Sequence, residues 1–126
     1  MDQQKAYCQL PILHHLTGHH QPVPYFLTAN MFGGLPFELA GGDISQWVGQ
    51  PVAEPHRHEV DEIYLLISPT PGEAVIDVNI QGDVKTYSSP SVIHVPAGAM
   101  HQFITKKAGR GSFCFGILYR RIEGAA

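Results

Sequence analysis

Cysteine is scarce in this chain of 126 residues: Cys8 and Cys114 are the only two. Two are too few for a disulfide framework, and they fit a reducing compartment. Charge is sparse as well, with 8 Lys and Arg against 11 Asp and Glu and a net charge of −3 at neutral pH. That balance excludes a general binder of polyanions, so no nucleic-acid partner is expected. Lys106, Lys107, Arg110, Arg120 and Arg121 cluster late in the chain. No aromatic residue is interleaved in their loop, and they read as a solvated hairpin followed by a basic tail. No stretch approaches the roughly 20 apolar residues needed to span a bilayer. The opening Met1-Asp2-Gln3-Gln4-Lys5 lacks the basic and apolar regions of a secretory leader. No membrane partner is expected, and a cytoplasmic location follows by default. Long amphipathic helices, internal repeats and low-complexity tracts are missing too.

What the chain has instead is short apolar runs punctuated by Gly and Pro. Its length suits one domain with a single core. Residues 1–24, with Pro11, Pro22, Pro24 and the run His14-His15-Leu16-Thr17-Gly18-His19-His20, read as an irregular arm. From residue 25 to 126 the pattern is that of β-strands. Tyr25–Thr28, Phe37–Ala40 (ended by Gly41-Gly42) and Ile44–Val48 are expected strands. Glu62–Ser68, Ala74–Ile80, Val84–Tyr87, Val92–Val95, His101–Thr105 and Phe113–Tyr119 follow. Within Ala74–Ile80 the apolar residues alternate with Val75, Asp77 and Asn79, the period of a half-buried strand. Many short strands with Gly and Pro turns indicate an all-β sandwich or jelly-roll barrel.

Two stretches carry the chemistry. The first is Glu54-Pro55-His56-Arg57-His58-Glu59-Val60-Asp61-Glu62, and the second is Pro96-Ala97-Gly98-Ala99-Met100-His101. In a strand His56 and His58 would face the same way, with Cα atoms roughly 6.6 Å apart, a separation suited to two imidazoles on one ion. Glu62 would return to that face if the strand persisted through Val60. In the second stretch, proline fixes φ, glycine permits a tight reversal, and His101 is delivered inward. The histidines of the arm lack a Cys or carboxylate at ligand spacing and read as solvated or locally bonded side chains.

His-x-His-x-x-x-Glu followed by Pro-x-Gly-x-x-His resembles the two motifs of the metal-binding cupin superfamily. The motif-bearing segments are 49–69 and 90–105. Departures fall in turns and in the surroundings of the ligands: Gly72 is displaced, Pro90 stands where glycine is common, and Thr105 where asparagine is common. The resemblance implies a cupin-type jelly-roll β-barrel, or double-stranded β-helix, with a metal held by His56, His58, Glu62 and His101.

Three imidazoles and one carboxylate leave two positions open on an octahedral ion. They suit one divalent transition metal, with Fe(II) favoured and Mn(II), Ni(II), Co(II) or Zn(II) as alternatives. The resemblance supports a dioxygenase that brings a small oxygen-bearing substrate and O2 together. It equally supports a Lewis-acid lyase, isomerase or cyclase. A non-catalytic ligand- or metal-binding module is the reading from a different class. Alternation adds Tyr64 as a candidate general acid and His94 as a proton shuttle or orienter of a ligand imidazole. Trp47, Leu66, Val92, Phe103 and Phe115 are the expected pocket lining. A homodimer is expected, because open β edges need cover.

Overall fold

The computed structural model describes residues 8–14 and 23–121. Among these described residues nine strands run in chain order: β1 Ile12–His14, β2 Val23–Leu27, β3 Phe37–Asp43, β4 Asp61–Ile67, β5 Ala74–Ile80, β6 Asp83–Ser88, β7 Ser91–Val95, β8 His101–Ala108 and β9 Phe113–Tyr119. A 3-10 turn, Met31–Gly33, lies between β2 and β3. The strands form two antiparallel sheets, ordered β1-β2-β3-β9-β4-β7 and β6-β5-β8. Their inner faces meet in one core that takes Tyr64, Leu66, Ile93, Val95 and Cys114 from the first sheet and Ala74, Ile76 and Val78 from the second. This is the expected all-β jelly roll, organised as two facing sheets. Among the described residues no helix is long and apolar enough to cross a membrane.

The expected alternation in β5 is present, with Ala74, Ile76 and Val78 buried between less buried neighbours. Three local expectations change. The Gly41-Gly42 pair does not end its strand, since β3 continues to Asp43. A Cβ at Gly41 would collide with the Cys114 carbonyl and come within 2.8 Å of the Phe115 Cα, so glycine here serves a close backbone approach to β9. Ile44–Val48 is a turn instead of a strand. Asp43 Oδ1 accepts the Ser45 N–H at 2.7 Å, and the Trp47 N–H donates to the Ile44 carbonyl. A side chain that bonds the backbone two residues on offers an alternative to the ladder. Finally, part of the expected irregular arm is ordered as β1, paired with β2 through Ile12 and Tyr25. The run from His15 to His20 lies outside the described residues, as does the end of the basic tail's neighbourhood beyond Arg121.

The first sheet stacks its inward residues in rows across strands. Glu38, Leu118 and Glu62 form one row on β3, β9 and β4. Tyr25, Ala40, Gly116 and Tyr64 form the next, and Gly42, Cys114 and Leu66 the one below. Because Ala40 and Gly116 are small, the middle row is a trough between two tyrosines.

Candidate metal centre

Four hydrogen bonds hold the two motifs together. His56 and His101 exchange both backbone bonds, at 3.0 and 2.8 Å, as an isolated antiparallel bridge. The Gly98 N–H donates to the His58 carbonyl at 2.8 Å, and the Ala97 N–H donates to Asp61 Oδ1 at 3.0 Å. Gly98 has a φ of +81°, which favours glycine, and it makes the reversal that leads into β8. The first motif is not the strand the spacing suggested. Before β4 begins at Asp61, His56 alone of residues 56–60 finds a ladder partner, and the chain leaves the strand at Arg57 and bends at Glu59 and Val60, with Arg57 and Glu59 exposed. The three side chains of that motif converge because a bend returns Glu62 to them, not because one strand carries all three.

The ligand atoms of His56, His58, Glu62 and His101 all lie within 4.8 Å of one another. Glu62 Oε1 is 2.9 Å from His101 Nε2 and 3.5 Å from His58 Nε2. The three imidazole centroids are 4.5 to 5.2 Å apart. His56 Nδ1 is 2.7 Å from the Glu54 carbonyl and His101 Nδ1 is 2.8 Å from the Ala99 carbonyl. A carbonyl only accepts, so each Nδ1 carries the proton and each neutral ring turns an Nε2 lone pair towards the cluster.

That tautomer leaves buried atoms without a partner. His101 Nε2 and Glu62 Oε1 have no hydrogen bond between them despite their proximity, and two acceptors facing each other require a proton or a cation. Burial lowers the His56 pKa, with His101 and His58 adding to the effect against the Glu54 carbonyl. Burial also opposes the charged form of Glu62, but the adjoining imidazoles of His101 and His58 together outweigh it and lower its pKa. For His101 burial opposes charging, while Glu62 and the Ala99 carbonyl outweigh it and raise the pKa. A proton would satisfy the His101–Glu62 contact alone. A cation accounts for all four donors, so the residues present fit a divalent ion.

Gly116 completes the cradle, because a Cβ there would run into Glu62 Oε2. Spacing along the chain does not reveal this, since Gly116 is on β9 and meets Glu62 only across the sheet.

No family model matches the sequence, and no curated protein matches it. Solved structures do. A cupin-like protein from Thermotoga maritima is similar with a TM-score of 0.59 at 12% identity, over 92% of this chain and 82% of the other. A Cupin 2 conserved barrel domain protein from Salinispora arenicola gives 0.56 at 15% identity, over 79% and 75%. KdgF from a Halomonas species gives 0.55 at 16% identity, over 81% and 80%. The chain has the cupin fold. At these identities the likeness is one of fold, and a fold does not carry an activity with it.

The His56, His58, Glu62 and His101 cluster opens into a cavity of about 300 Å3 between the sheets, lined by His56, His58, Glu62, Tyr64 and Phe103 among others. Tyr64 is buried, with its ring 6.1 Å from that of His101 and 5.1 Å from that of Phe103. Burial, then Glu62 and Cys114, hold its phenol pKa well above the ordinary value, so it faces the cavity as a neutral hydroxyl.

Several expected site residues stand elsewhere. In β7 Ile93 and Val95 point inward, so Val92 (70% exposed) and His94 lie on the outer face. His94 Nε2 meets Asp61 Oδ2 at 3.0 Å and touches no ligand imidazole. Phe115 also faces outward, edge-on to Phe26 and stacked on Phe113. Leu66 shares the inward face with Glu62 and Tyr64 but lies in the core below the cavity, fully buried. Trp47 sits in the turn after Asp43, away from the lining. Conversely, Tyr25 and Glu38 line the cavity, and reading the chain in order did not single them out.

Proposed function

We propose that this cupin is a divalent-metal-dependent enzyme acting on a small oxygen-bearing organic molecule, with a non-haem Fe(II)-type dioxygenase as the reaction. The convergence of four donor groups within 4.8 Å beside a cavity supports this reading most. A bound ion would supply a Lewis acid for substrate oxygens and, as Fe(II), a redox partner for O2. Three imidazoles and one carboxylate leave room in its coordination sphere for substrate, unlike the closed Cys-rich sets of structural zinc.

The chain's own contributions follow from the geometry. The Glu54 and Ala99 carbonyls keep His56 and His101 in the tautomer that offers Nε2. Phe103 and Leu118 line the cavity with apolar surface and limit the water beside the reacting atoms. The Tyr64 hydroxyl remains protonated and is available as a hydrogen-bond donor to a bound oxygen.

The test begins with elemental analysis of protein produced without added metal. About one divalent ion per chain is expected, lost in His56→Ala and in His101→Ala; equal metal content in those variants refutes the assignment. Oxygen uptake by Fe(II)-loaded protein with phenolic or β-diketone compounds is then expected. Turnover that persists under strict anaerobiosis with Mn(II), Ni(II) or Zn(II) would instead identify a lyase or isomerase. Saturable binding with no product in either atmosphere would leave a binding module.

A further inference from the structure

We propose that Glu38 selects the substrate of this cupin, admitting small metal-binding oxygen compounds whose far end carries a hydroxyl or ammonium donor and rejecting those whose far end is an anion. This rests on the metal-centre reading above and adds the class of molecule that the centre takes.

The sheet register places the two ends of the substrate site. Glu38 pairs with Leu118 and Leu118 with Glu62, so the two carboxylate-bearing residues share one row and one face. Two inter-strand spacings separate their Cα atoms, about 9.6 Å. Between them and one row below, Ala40 and Gly116 leave the floor low, and the cavity occupies that space. A small molecule bound at the Glu62 end therefore extends over Gly116 and Ala40 towards β3 and β2, where Glu38 and Tyr25 line the wall.

The charge at that far end has one sign. Among the described residues no Lys or Arg lines the cavity, and Glu38, Asp43 and Glu62 are its carboxylates. Glu62 would be balanced by a bound ion, and Asp43 is the exposed last residue of β3, one position out of phase with the inward Glu38, Ala40 and Gly42, so Glu38 is the carboxylate that the distal group meets. Its Oε2 accepts the Ala29 N–H at 3.1 Å, which holds the carboxylate in a defined orientation before a ligand arrives. Beside it the Tyr25 phenol is kept protonated by burial and by the nearby Glu38 and Glu62. A carboxylate without a counter-cation accepts hydrogen bonds and repels anions, and exclusion by an unpaired like charge is a strong source of specificity.

Three catechols with the same chelating diol and the same two-carbon length test this: 4-(2-aminoethyl)catechol, 4-(2-hydroxyethyl)catechol and 3,4-dihydroxyphenylacetate. Zn(II)-loaded protein is used, because zinc is redox-silent, and zinc content is verified by elemental analysis. By calorimetry the wild type is expected to bind the amine and the alcohol at least about tenfold more tightly than the carboxylate. Glu38→Gln, which retains an acceptor for Ala29, should bring the three within about threefold, and Glu38→Lys should invert the order. Equal affinities in the wild type, no binding of any probe to zinc-loaded protein, or a wild-type order that survives in both variants overturns the proposal. Circular dichroism and zinc content matching the wild type show that each variant is folded. If the wild-type protein takes up no zinc, the metal reading itself fails and this inference with it; if zinc is bound and the order is absent, only the role of Glu38 fails.

Discussion

At the scale of single residues, Gly116 shows how a functional position escapes a reading along the chain. Its lack of a side chain is what lets the Glu62 carboxylate reach the cluster. Gly116→Ala is expected to displace Glu62 and weaken metal affinity by about 10- to 100-fold, as for other residues that orient ligands; chelator competition measures it. Retention of wild-type affinity would mean that the Glu62 carboxylate does not need the gap at Gly116 to reach the cluster. The four proposed ligands were legible in the sequence because imidazoles and a carboxylate at those intervals have few other purposes together. Glu38 and Tyr25 were not, because a lone Glu or Tyr in a strand takes its meaning from what faces it. His94 and Val92 illustrate the related limit that alternation sets a period but not a phase. One residue's shift moves a whole strand's side chains to the other face, and Ile93 and Val95 took the inner one.

At the scale of elements, Asp61 ties the first residue of β4 to the second motif. Its Oδ1 accepts the Ala97 N–H, and its Oδ2 meets His94 at 3.0 Å and Arg121 at 2.8 Å. Arg121 thus belongs to an ion cluster and not to a wholly solvated tail. The hydrogen bond from His94, with Ala97 and Arg121 assisting against desolvation, lowers the Asp61 pKa from 3.8. A carboxylate with a depressed folded-state pKa stabilises the fold above its unfolded value, and that contribution disappears as pH falls through the lower folded value. Asp61→Asn is therefore expected to melt below the wild type at pH 7, with the gap closing as pH falls below the ordinary carboxylate range. Thermal unfolding across that range measures it, and a gap independent of pH would assign the effect to packing. Strand β5 was legible because the Pro- and Gly-bearing turns on either side isolate a clean alternation, whereas the bend before β4 was not. Polar residues at every second position are compatible with a strand, but a strand needs a partner, and only His56 has one.

At the scale of the molecule, the two sheets close on a core in which Leu66 is fully buried. Leu66→Ala should cost about 2 to 5 kcal/mol of stability, read from urea unfolding, and leave the metal site assembled. The outer face of the first sheet carries Phe26, Val92, Phe113 and Phe115, with Phe26 at 41% and Val92 at 70% exposure. A homodimer that covers this face is proposed, since contiguous apolar surface of this kind marks interaction sites. Light scattering is expected to give twice the chain mass, reduced towards the monomer by Val92→Asp. A monomeric wild type would exclude it.

By itself the sequence determined the all-β class and the four donor residues, because turn chemistry and ligand types are local properties of the chain. Only the tertiary structure decided which face each strand presents, that a bend delivers Glu62, and that Glu38 and Tyr25 look across a trough at the cluster. Those facts depend on register between strands far apart in sequence, and register is set by packing two sheets against each other.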